Sequence, residues 1–83
     1  MGWHINYEVE FDKFIEDWDD DAVKVCLLPF LANYLYLRDL GVFRVMLCVY
    51  SQHPIENIVA ALKSLYPAGI RYRIYESIEW TTF

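Results

Sequence analysis

The sequence predicts a small α/β (α+β) domain, with a three- or four-stranded sheet and two or three helices in the order β-α(α)-β-α-β. Three observations carry that prediction. An alternating apolar stretch opens the chain, a run that is apolar on both faces lies near its middle, and a helical stripe followed by a second alternating stretch closes it. With 83 residues there is material for one core only, so residues 1–83 are expected to form a single domain.

Trp3, Ile5, Tyr7, Val9 and Phe11 alternate with His4, Asn6, Glu8 and Glu10, the period of a strand with one buried and one wet face. Asp12 then suits the cap of a short helix carrying Phe14, Ile15 and Trp18 at helical spacing. Asp19, Asp20 and Asp21 repel one another, which places them in a solvated turn or at the positive N-terminus of a following helix. From Ala22 to Leu40 two readings stand. Either Val23 to Leu28 is a short strand or helical lead-in followed by a helix from about Pro29 to Leu40, or the whole stretch is one helix kinked at Pro29. A helix is favoured for the second part, with Phe30, Leu31, Tyr34, Leu35 and Leu37 as its apolar face and Gly41 as its left-handed cap.

Val42 to Tyr50 is interrupted only by Arg44, and its valines and Phe43 suit a central strand buried on both sides. Pro54 fits the first position of a helix whose stripe is Ile55, Ile58, Val59, Leu62, Leu65 and Tyr66. Beyond Pro67 and Gly69, the residues Ile70, Tyr72, Ile74, Ile78 and Trp80 alternate with Arg71, Arg73, Tyr75, Ser77 and Glu79 as one long last strand, with Glu76 misplaced on the apolar side at an edge or bulge. The connection from residue 42 to residue 81 is long enough for a parallel βαβ unit.

Twelve acidic against seven basic residues give a net charge of −5, which disfavours direct binding to nucleic acid or an anionic membrane and favours a protein with a basic surface. The charge is uneven: residues 1–21 carry −7 and the remainder +2. No basic stretch leads into an apolar one at the N-terminus, and Val23 to Leu37 is too short and too interrupted to span a bilayer, so a cytoplasmic location is expected. The 18% of aromatic residues exceed what a small core needs and suit an interface.

Signatures of catalysis are missing. Glycine-rich phosphate loops and nucleophile elbows have no counterpart in glycines scattered at 2, 41 and 69. Cys26 and Cys48, 22 residues apart in apolar runs, are expected to be buried free thiols, and neither metal nor cofactor is implied. His53 precedes Pro54 at the end of an expected central strand, where α/β folds place sites, although a turn or capping role is the plainer expectation. The stretch VYSQHP, a helix and GIRYRIYE resembles the first βαβ unit of glutaredoxin-like proteins over about 30 residues. Ile55 and Ile58 stand near where such proteins carry redox cysteines, so the resemblance implies no redox activity.

The carboxylates Glu16, Asp17, Asp19, Asp20 and Asp21 around Trp18 lack the spacing of a calcium loop and form instead a candidate docking patch, with charge for steering and Trp18 for burial. Arg71, Arg73 and Tyr75 on the last strand form a second candidate contact surface, able to pair with another chain if that strand lies at a sheet edge. These features suggest a small acidic inhibitor or adaptor without enzymatic activity, such as a phage-encoded blocker of a host enzyme or defence protein, or a bacteriocin immunity protein. The alternatives are a homodimeric structural or assembly subunit and a minimal enzyme built on His53.

Overall fold

The computed structural model describes residues 5–41, 43–67 and 69–82. Trp3 and His4, the expected start of the first strand, and Val42 lie outside the described residues. The chain forms strands β1 (Ile5–Phe11), β2 (Asn33–Asp39), β3 (Val45–Ser51), β4 (Ile70–Ile74) and β5 (Thr81–Thr82), with helices α1 (Asp20–Leu27) and α2 (Ile55–Leu65). Short 3-10 turns occupy Ile15–Asp17 and Leu28–Phe30.

The strands form one sheet of order β2-β3-β1-β4-β5, and every neighbouring pair is antiparallel. It follows that β3 and β4 run parallel with β1 between them, and that β1 and β2 run parallel with β3 between them. These are two interleaved split βαβ units, the ferredoxin-like plan, with β5 added outside β4. The expected direct βαβ unit from β3 to β4 is therefore not formed. That plan hosts many unrelated functions and indicates none by itself.

Tyr7, Val9 and Phe11 of β1 share a face with Val45, Leu47 and Val49 of β3 and Ile70 of β4, and both helices bury their stripes against it. Val23 and Leu27 come from α1, and Ile55, Ile58, Val59 and Leu62 from α2. Tyr66 follows as the residue closing α2, so the stripe expected for that helix is the one observed. Pro54 stands one position earlier than expected, as the residue before the first helical turn.

The helix expected from Pro29 to Leu40 is absent. Pro29 belongs to a 3-10 turn that ends α1, Leu31 takes a left-handed conformation, and Asn33–Asp39 pairs with β3. The pairing register shifts between Tyr34 and Tyr36, so Leu35 is an extra residue in the strand. That bulge turns Tyr34 and Leu37 to the same face, three residues apart, which imitates a helical period. Gly41 accordingly serves the loop between β2 and β3 instead of a helix end.

The long last strand is also divided. Tyr75 and Glu76 form a turn, with Glu76 at φ 65°, and the chain doubles back so that Thr81 and Thr82 pair with Tyr72 and Arg71. The outer edge of β4 is thereby covered over two residues, and the uncovered strand edge at the other side of the sheet belongs to β2. Gly69 is required ahead of β4: at φ 54° a Cβ would overlap the Asp12 carboxylate, while the Asp12 amide donates to the Gly69 carbonyl at 3.0 Å. Asp12 thus does not cap a helix. No helix of the described residues is long and apolar enough to cross a membrane.

Candidate protein-binding interface

Charge is gathered in two places. On the sheet face away from the helices, Glu8 and Glu10 stand opposite Arg73 and Arg71 in the β1–β4 register. Arg73 Nε donates to Glu8 Oε1 at 2.6 Å, and both Nε and Nη2 of Arg71 lie 2.9 Å from Glu10 Oε1. Trp80, carried back by the β4–β5 turn, lies over both guanidinium groups at 4.3 and 4.4 Å from ring centre to carbon. The alternation of β1 predicts a wet face here, yet Glu8 and Glu10 are only 4% and 7% exposed. Arginine stems, Trp80 and the returning chain replace water. Arg71 and Arg73, candidates for partner contact, are therefore each paired with a carboxylate of the chain itself, with side chains still 39% and 26% exposed. Tyr75 is exposed at the turn, its amide bonded to the Asn6 carbonyl at 2.9 Å.

The second gathering is the corner formed by residues 14–21. Phe14 precedes the 3-10 turn Ile15–Asp17, Ile15 packs on the core, and Glu16 and Asp17 point outward. Trp18 is half-buried against the core: its ring packs at 5.2 Å from Phe11 and 5.1 Å from Tyr66, and its indole N–H donates to Asp20 at 2.9 Å. Asp19 is the cap of α1, accepting from the Ala22 amide at 3.1 Å, and its own amide donates to the Tyr66 hydroxyl at 2.7 Å. Asp20 accepts from the Tyr34 hydroxyl as well as from Trp18, and meets Lys24 one turn on at 3.5 Å. The Tyr34 bond holds the Asp20 carboxyl below the usual range, assisted by Trp18 and Lys24. Burial, and then the Asp20 carboxylate, push the Tyr34 phenol up to about 12.

Two of the five carboxylates thus build the corner, which leaves Glu16, Asp17 and Asp21 exposed with no ion pair among the described residues. Beside them is a feature that residue patterns do not disclose. Phe14 and Phe43 meet edge to face at 4.9 Å, and each remains nearly half exposed. Phe43 belongs not to a central strand but to the β2–β3 loop, at φ 56°, a conformation that costs a bulky residue about 1–3 kcal/mol. Asp39, whose carboxylate accepts from the Gly41 amide at 3.0 Å, marks that loop as a hairpin turn and is the signal from which it could have been read.

His53 stands apart from both gatherings, with its ring edge-on to Phe30 at 6.0 Å and its amide donating to the Ser51 hydroxyl at 3.0 Å. Its side chain does not cap α2. Cys48 is buried on the far sheet face, where burial pushes its thiol up, whereas Cys26 is only half-buried. No group of metal-ligating side chains occurs among the described residues. No protein family, curated protein or solved structure matches this chain.

Proposed function

We propose that this chain is a small non-catalytic protein-binding domain, an inhibitor or adaptor, that engages a basic surface of its target through the acidic corner. The observation that carries this reading is the combination of three exposed carboxylates without an ion pair among the described residues, Glu16, Asp17 and Asp21, with an exposed aromatic pair in which Phe14, from the same stretch, meets Phe43 of the β2–β3 loop. Carboxylates with no internal partner supply long-range attraction and a fast encounter, while aromatic rings supply the desolvated contact that holds a complex. The strained backbone at Phe43 supports the reading, because a ring displayed at a conformational cost accords with use outside the chain.

The reading is tested by affinity capture with the wild-type chain and two variants, E16Q/D17N/D21N and F14A/F43A, at low and moderate salt. A basic protein retained by the wild type, released as salt rises and lost from both variants supports the acidic corner as the docking surface. A protein bound equally by all three chains, or held independently of salt, overturns it.

A further inference from the structure

Around the β2 edge the surface has the opposite chemistry to the acidic corner. Residues 22–38 include no carboxylate and two cations, in a chain of net charge −5. Four aliphatic side chains in this stretch face solvent: Val25 at 64%, Leu28 at 68%, Leu31 at 73% and Leu35 at 46% exposure. The backbone itself sets two of them outward, Leu31 by its left-handed conformation and Leu35 by the bulge. Exposed aliphatic side chains gathered in one stretch are the material of contact sites.

The patch and the strand edge are adjacent. Tyr34 of β2 contacts the α1 row formed by Asp20 and Lys24: its hydroxyl donates to the first, and the second lies over its ring at 5.3 Å. Leu28 follows Lys24 at the same four-residue step, so the exposed apolar end of that row lies on the β2 side of the molecule. The outer edge of β2 is seven residues long and pairs with no strand among the described residues. Arg38 on this strand has no carboxylate partner among them either, and sits 5.6 Å from the Tyr36 ring centre.

We propose that a second copy of this chain docks here, with β2 pairing antiparallel to β2 of its partner about a two-fold axis perpendicular to the sheet. This axis keeps the helices of both copies on one face and sets α1 beside its counterpart over the seam, which covers Val25 and Leu28. In the register that places Leu37 opposite its own copy, Arg38 meets Tyr36 of the second copy on the open face, twice by symmetry, and the strand is self-complementary. The carboxylates near the seam are Asp39, at the end of β2, and Asp20, which Tyr34 and Lys24 engage within the chain, while Glu16, Asp17 and Asp21 lie outside the stretch that pairs. A standard interface buries roughly 800 Å² per partner, which the strand edge, the exposed aliphatic side chains and α1 beside its counterpart would supply together. The inference is independent of the inhibitor or adaptor reading, since it uses none of Phe14, Glu16, Asp17, Asp21 or Phe43.

Sedimentation equilibrium and light scattering on the purified chain, across a concentration series, decide the matter. The wild type is expected to have the mass of two chains and to keep it as salt rises. L28E and L35E, both at exposed positions, are each expected to weaken self-association by about 30-fold or more with unchanged circular dichroism, the second because it sets Glu opposite Asp39 of the copy. Amides of β2 should exchange slowly in the wild type and quickly in L35E. The E16Q/D17N/D21N variant should remain dimeric, which separates this surface from the acidic corner. A wild type that stays monomeric at submillimolar concentration, or a dimer indifferent to both L28E and L35E, overturns the proposal.

Discussion

On the far face of the sheet, Glu8 and Glu10 are buried and lie 2.6 and 2.9 Å from guanidinium groups, whereas Glu16, Asp17 and Asp21 reach solvent with no ion pair among the described residues. Both regions are rich in carboxylates and aromatic rings, and both interrupt the apolar surface of the same small domain. The difference lies in where the opposite charge comes from. The β1–β4 register supplies an arginine to each buried glutamate, and Trp80 closes over the pair. The 14–21 corner uses Asp19 and Asp20 for its own geometry and leaves the other three in solvent with no ion pair among the described residues. A list of charged residues cannot separate these two uses; the register and the turn that returns Trp80 do.

Removing one member of the buried ladder is the severest way to break this contrast. Glu8→Ala leaves Arg73, only a quarter exposed, without its carboxylate, and is expected to lower stability by about 3 kcal/mol in a urea titration. Trp80→Ala keeps both ion pairs but uncovers them. It is expected to cost about 1–2 kcal/mol and to make the ladder more sensitive to salt.

The structural carboxylate of the acidic corner yields a prediction in pH. Asp20 is held low by the Tyr34 hydroxyl, so its contribution is complete above the ordinary carboxylate value and is lost as pH falls through its depressed value. Tyr34, raised to about 12, acts with the other sign: its contribution is complete below the ordinary phenol value and is lost as pH climbs from there toward 12. Tyr34→Phe is expected to move Asp20 back up, which carboxyl-detected NMR titration would register, and to remove the alkaline loss. The smallest effect belongs to E16Q/D17N/D21N, whose stability should stay within about 0.5 kcal/mol of wild type because those side chains form no ion pair among the described residues. A larger change would place them among the structural charges and end the distinction.

Elements with an unbroken period were legible. The alternation of Ile5, Tyr7, Val9 and Phe11 and the stripe from Ile55 to Tyr66 appear as β1 and α2, and the aspartate triplet opens α1 with Asp19 as cap. Where the backbone breaks its own period, the pattern misleads. The bulge at Leu35 brings Tyr34 and Leu37 to one face and mimics a helix, and the positive φ at Glu76 divides what alternation presents as one strand into β4 and β5. Trp18 shows the same limit at the candidate site. Its neighbours in sequence are carboxylates, but its neighbours in space are Phe11 and Tyr66, which arrive from β1 and the end of α2.

The sequence by itself determined that this is a small domain of mixed helix and strand, that its first strand and last helix share a core, and that its negative charge is concentrated near the N-terminus, because composition and local period depend only on neighbouring residues. Strand order, the pairing of Glu8 with Arg73 and Glu10 with Arg71, the return of Trp80, and the meeting of Phe14 with Phe43 were decided by the tertiary structure alone. The two ion pairs and the Phe14–Phe43 contact join residues from 29 to 65 positions apart, where no local spacing rule operates, and Trp80 reaches arginines seven and nine positions back only because the chain turns at Glu76.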